Sequence, residues 1–169
     1  MNTQMKTFNS STRRIRFATC LSTLCVIALS TQAATITVMN GNDSGVGSLR
    51  QAIANAHNGD TINFDAALNV IGLWSGELVV DKSVAISGPG AANLILDGNQ
   101  RGRLFHIIDG VTVSISGLTT TSGLADDRGN AILNDHSTLT LRDCIIGENI
   151  LSSEKGGAIC NDGASAIMV

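Results

Sequence analysis

The segment from Gly129 to Asp135 (GNAILND) returns as Gly156 to Asp162 (GGAICND), with Ala131, Ile132, Asn134 and Asp135 each matched 27 positions later. A second series runs through the chain. Val113, Ile115 and Leu118 match Leu139, Leu141 and Cys144 at an offset of 26, and Val84 and Ile86 match Val113 and Ile115 at 29. The strand pattern starts again at Ala166 to Val169. Each unit holds short runs of period-two alternation, LILD at 94–97, VSIS at 113–116 and LTLR at 139–142, separated by Gly, Asn, Asp and Ser, the residues that tolerate left-handed turns. No stretch of helical period between these runs is long enough for a βαβ crossover, which excludes a doubly wound sheet. A period of 26 to 29 with two or three short strands describes one turn of a β-solenoid. An antiparallel sandwich of irregular hairpins explains the constant spacing poorly.

Composition agrees with thin stacked layers. Aromatic residues make up 3% of the chain, Tyr is absent and there are 18 Gly, so the core is built from Val, Ile, Leu and Ala. Asn134 and Asn161 fall at equal repeat positions, and a ladder of turn asparagines is expected there. Cys144 and Cys160 also occupy apolar slots of the repeat. Two readings stay open for them: small side chains facing inward, or a disulfide between adjacent coils if the chain is exported.

One helix precedes the strands. In GSLRQAIANAHNGD, Gly47 to Asp60, Ser48 is an N-cap with Gln51 three residues on, the spacing of a capping box. Leu49, Ala52, Ile53 and Ala56 share one face, and Gly59 offers a left-handed stop. A helix of about two and a half turns does not persist alone in water, so it needs an apolar surface to lie on. Thr35 to Met39 before it and Thr61 to Phe64 after it alternate as strands. The helix is therefore expected to lie across the open end of the first coil, as an N-terminal cap over residues 34–60, with the coils filling 61–169. No matching device stands at Val169, which suggests a truncated reading frame or an edge that pairs with another chain.

Residues 1–33 read as a secretory signal peptide. Lys6, Arg13, Arg14 and Arg16 precede the apolar run Phe17 to Leu29, and Thr31-Gln32-Ala33 places small residues before a cleavage site. The run is too short for a comfortable membrane span. The remaining 136 residues keep all fourteen acidic side chains but seven basic ones, a net charge near −7. An acidic exported chain without a basic stripe is a poor partner for nucleic acid or an anionic membrane surface.

GGAICNDG and its degenerate partner GNAILND resemble the Gly-Gly-Ala-Ile repeats of polymorphic outer-membrane proteins. The stretch TVMNGNDSGVGSLRQAIANAHNGDTINFD with SGELVVDKSVAISGPG is similar to the opening of many bacterial secreted β-helix proteins of the pectate-lyase-like superfamily. The resemblance implies an all-β fold, a right-handed parallel β-helix, exported and often attached to the cell surface. It implies no single activity, because relatives of that fold include adhesins, passenger domains and polysaccharide lyases.

The chemistry on offer is thin. Asp126 and Asp127, beside Arg128, form the densest charge cluster. A lyase of this architecture would use acids to hold Ca²⁺ against a uronic-acid chain, and calcium needs several converging oxygens; two adjacent carboxylates are weak metal candidates. His57, His106 and His136 have no His or Cys neighbour at metal spacing, and no serine nucleophile motif is present. Ala158 and Cys160 break the calcium-binding nonapeptide pattern. Trp74 would stack on a sugar if exposed, or pack on the core edge if not. The expectation is a non-catalytic cell-surface or adhesin-like scaffold without catalytic residue or cofactor. A surface polysaccharide, a protein or a second copy would be its partner. A fragment of a pectate-lyase-like enzyme, with Ca²⁺, is the alternative. Three or more of Asp97, Asp109, Asp126, Asp127 and Asp135 lining one groove with Arg101, Arg103 or Arg128 would favour the enzyme.

Overall fold

A computed structural model describes residues 32–126, 128–151, 157–163 and 165–168. Along the chain come β1 (Thr35–Val38), the helix α1 (Leu49–Asn55), β2 (Thr61–Phe64), β3 (Val70–Gly72), β4 (Leu78–Val80), β5 (Ala85–Ser87), β6 (Ile95–Asp97) and β7 (Phe105–Ile107). Then follow β8 (Thr112–Ser116), β9 (Thr119–Thr121), β10 (Leu124–Ala125), β11 (Ile132–Asp135), β12 (Thr138–Arg142), β13 (Ile145–Ile146), β14 (Ile150–Leu151), β15 (Ile159–Asp162) and β16 (Ser165–Met168). They stack as three parallel sheets: sheet A in the order β1-β2-β5-β8-β12-β16, sheet B as β3-β6-β9-β13, sheet C as β4-β7-β11-β15, with β10 and β14 forming a short extra pair. From β2 onward the strands pass in turn through sheets A, B and C, with β10 and β14 inserted between B and C, so the chain winds as a parallel β-helix and not as a sandwich. Among the described residues no helix is long and apolar enough to cross a membrane.

Register turns the repeat into core. On sheet A, Ile36, Ile62, Ile86, Ile115 and Leu141 stack in one inward column. On sheet B the column is Ile71, Leu96, Thr120 and Ile146. On sheet C it is Leu78, Phe105, Ile132 and Ile159, beside Val80, Ile107, Asn134 and Asn161. Most of these side chains are buried, Ile62, Leu96, Phe105 and Ile132 completely; each large aliphatic contributes roughly 1.5–3 kcal/mol by leaving water. Thr120 is the polar member of the sheet B column, and its buried Oγ1 has no partner among the described residues.

The asparagine ladder forms, but at inward strand positions and not in a turn. Asn134 is fully buried where earlier coils carry Val80 and Ile107. Its Nδ2 donates to Asn161 Oδ1 at 2.6 Å, Ser137 O at 3.0 Å and Ser165 O at 3.2 Å, while its Oδ1 is left without a partner among the described residues. Counted between paired positions, the C-to-A corners cover 81–82, 108–111 and 135–137, so turn length does not single out Asn134. What does is the pair of carbonyls its amide meets, Ser137 O and Ser165 O, for which an aliphatic side chain has no donor.

The helix is a lid, as expected, though shorter and differently finished. Ser48 Oγ accepts from Gln51 N at 3.2 Å. The return half of the capping box is missing: Ser48 N donates to Gly45 O instead, and the buried Gln51 Oε1 finds no partner among the described residues. The helix spans seven residues and is capped at Ala56, whose N–H reaches Ala52 O and Ile53 O. Gly59, with φ +95°, belongs to the turn into β2 and does not stop the helix. Leu49, Ala52, Ile53 and Ala56 all join the core cluster. The loop before the helix completes the lid over β3: at Gly41 any Cβ would overlap the Val70 carbonyl.

Cys144 and Cys160 are both half-buried and not joined to each other. Cys144 Sγ sits within hydrogen-bonding reach of Arg142 O and Ile115 O at the corner between sheets A and B. Cys160 lies in β15 on sheet C. They occupy different faces of the coil, so the disulfide reading is not realised, and neither thiol is as deeply placed as an inward slot implies.

Candidate functional site

The three corners of the coil diverge along the axis. The corner from C to A stays short, two to four residues between paired positions. The corner from B to C lengthens: its connections cover 73–77, 98–104, 122–131 and 147–158, or 5, 7, 10 and 12 residues. Side chains from the first three of these meet in a groove of about 620 Å³, lined by Ser75 to Glu77, Gln100 to Arg103 and Leu124 to Asp126.

Glu77 organises the floor. Its carboxylate takes Arg103 Nε at 3.0 Å on one oxygen and His106 Nδ1 at 3.1 Å on the other. Arg103 is almost wholly buried. From the lid, Arg50 donates to Glu77 O at 2.7 Å and Gly76 O at 2.8 Å, and pairs with Asp43 at 2.8 Å. Asp43 in turn accepts from Ser75 N at 3.0 Å. Burial pushes the Asp43 carboxyl up, but the hydrogen bond from Ser75 and the guanidinium of Arg50 outweigh it and hold the group below the ordinary aspartate value. The lid and the first connection of the long corner are thereby one bonded unit.

Sequence reasoning placed Arg101, Arg103 and Asp126 among its candidates, and these three meet here. Asp127 lies outside the described residues. The other acids are elsewhere. Asp97 spends its Oδ1 on Asn99 N at 2.9 Å at the end of β6. Asp109 sits exposed in a C-to-A turn with φ +67°, and Asp135 pairs with His136 at the next such turn. Arg128 pairs with Asp162 at 2.7 Å. Convergence of three of the five named acids is therefore not met, whatever Asp127 contributes. Among the described residues no three His, Cys, Asp or Glu side chains gather at metal distance. The described donors do not fit Ca²⁺, since Glu77 is already occupied by two nitrogens and Asp126 stands alone beside it.

Glu77 was missed by the sequence reading, yet a signal for it existed. Glu77 and Arg103 are 26 residues apart and Arg50 and Glu77 are 27 apart, so opposite charges one repeat apart mark groups that stack. Trp74 is 62% exposed at the rim of the same corner and does not pack on the core edge.

No family model, no curated protein and no solved structure matches this chain.

Proposed function

We propose that the chain is a non-catalytic β-helix scaffold, exported and displayed at a cell surface, whose long B-to-C corner presents the binding surface. The observation that carries this reading is the scattering of the acids. A polysaccharide lyase or hydrolase needs carboxylates converging on a substrate, as ligands for Ca²⁺ or as a pair about 5–9.5 Å apart across the bond. Here Asp97, Asp109 and Asp135 stand on other turns, and the one acid organising the groove is paired with Arg103 and hydrogen-bonded to His106. The leader pattern in residues 1–33 supports export, and the resemblance to right-handed bacterial β-helix repeats supports surface display. The acidic balance argues against nucleic acid as a partner. A surface polysaccharide or protein, or a second copy, fits the scaffold.

The alternative, a fragment of a pectate-lyase-like enzyme, is favoured by one fact: Arg101, Arg103 and Asp126 share a groove. Incubation with polygalacturonate, with and without Ca²⁺, separates the two. We expect no unsaturated product under either condition; robust product formation overturns the scaffold reading. Mass spectrometry of the exported product should place Ala34 at its N-terminus.

A further inference from the structure

Strands point alternate residues outward, and the outer faces of sheets A and B differ in kind. On sheet A one outward column reads Thr35, Thr61, Ala85, Ser114 and Thr140. On sheet B the register stacks Val70, Ile95, Thr119 and Ile145, with Val70, Ile95 and Ile145 at 52%, 37% and 54% exposure. Trp74 lies beside this column. Gly72 is the next outward position of β3, and a Cβ there would sit 3.1 Å from the indole Nε1 and 3.1 Å from Asn99 Nδ2. The ring thus folds back over Gly72, where a Cβ would be a tight fit and a branched side chain would push the ring aside. Around the corner, Ser75 and Gln100, the residues after Trp74 and Asn99, enter the groove.

We infer that sheet B and the adjoining groove bind a neutral glycan chain laid along the solenoid axis. This deepens the scaffold reading above and rests on it. Three features select the occupant. The stripe spans three coil steps of about 4.8 Å by one outward pair of about 7 Å, on the order of 200 Å² with the indole. That is far below the roughly 800 Å² per partner of a stable protein interface, and matches a single narrow polymer. The backbone amides and carbonyls of β6 and β9 are spent on neighbouring strands on both sides, so an extended peptide finds no ladder there. A sugar ring needs none: its C–H face lies on the negative face of the indole and on the aliphatic column, and its hydroxyls reach side chains such as Asn99 and Gln100. Charge completes the choice. The carboxylate nearest the stripe, Asp97, is bonded to Asn99 N. The groove lining carries two cations, Arg101 and Arg103, beside two carboxylates, Glu77 and Asp126, so among the described residues it offers a uronate chain no net positive charge.

Trp74 is the single Trp and the chain has no Tyr, so its emission reports this site alone. The full chain is titrated with cellohexaose, laminarihexaose and chitohexaose, and with polygalacturonate as the anionic probe. At least one neutral hexaose should shift Trp74 emission to the blue and protect it from acrylamide. By calorimetry Trp74→Ala should weaken that binding at least about tenfold, Trp74→Phe less, and Gly72→Val, which evicts the ring, as much as Trp74→Ala. Silence with all three neutral sugars overturns the inference; so does a response to polygalacturonate alone, or undiminished binding by Trp74→Ala. Product formation from polygalacturonate would instead sink the scaffold reading, a result this titration does not touch.

Discussion

Two corners of one coil carry the contrast that matters most in this molecule. From C to A the connections stay short, two to four residues between paired positions, and from B to C they grow from 5 to 12. The short corner is where the repeat is most legible: Asn134 and Asn161, Asp135 and Asp162 stack in register because a short turn leaves little freedom. The long corner lets the chain depart from its own period, and there Glu77, Arg101, Arg103 and Asp126 meet in a groove. Regularity and the groove fall on different edges of the same coil.

The largest test of this division is insertion. Two glycines between His136 and Ser137 should separate Asn134 from Ser137 O and Ser165 O and cost about 3 kcal/mol or more in urea unfolding. The same insertion between Gln100 and Arg101 should cost under about 1 kcal/mol, the closure entropy of a slightly longer loop. Equal losses would break the comparison.

Inward polar groups sharpen it next. Asn134→Ala removes a buried, bonded donor and should destabilise by about 2 kcal/mol. Thr120→Val, a near-isosteric change at a buried hydroxyl without a partner among the described residues, should stabilise by about 1 kcal/mol. Both are read from the urea midpoint at unchanged slope. Ser48→Ala, which deletes the Oγ bond to Gly45 O and the one from Gln51 N at the start of the lid, should cost about 1 kcal/mol.

Acid probes the fastening of the lid. Asp43 is held below its ordinary value, and so is Asp60, by hydrogen bonds from His57 N and Ala34 N. A carboxylate with a depressed folded pKa contributes stability that is present above its unfolded value of about 3.9 and lost as pH falls through the folded one. The unfolding midpoint should therefore hold from neutrality to about pH 5 and decline below about pH 4. Asp43→Asn should flatten that decline; an unchanged slope would remove Asp43 from the fastening. Smallest of all, Arg101→Ala and Asp126→Ala should each leave stability within about 0.5 kcal/mol, as exposed groove residues do.

How much of this was readable beforehand follows the same line. Offsets of 26, 27 and 29 named the partners across coils, since Ile86 does pair Ile115, Val113 pairs Leu139, and Asn134 pairs Asn161. The lid was legible from the face formed by Leu49, Ala52, Ile53 and Ala56. Its end was not: at Ala56 the chain turns extended where Asp60 draws in the N–H of His57, a carboxylate that also accepts from Ala34 N beside the β1–β2 pair. The position of Asn134 inside the coil was hidden for a related reason. Periodicity says which residues stack, but not whether the stacked column faces core or solvent. The groove was half legible. Arg101, Arg103 and Asp126 were singled out by charge, and Glu77 was overlooked because its partners lie one coil away in either direction.

The Asn134–Asn161 bond gives the stack a grammar for change. Both asparagines sit in the same column, 27 residues apart. A duplicated segment of that length would arrive with its own amide already facing the one beneath it. Copies can thus be added or lost on that side of Ile107 by whole coils, with each new junction identical to the old. Across Ile107 the same copying would set an amide against an aliphatic neighbour, so lineages that alter the length of this protein should do so through the asparagine coils and leave the aliphatic ones under the lid unchanged in number.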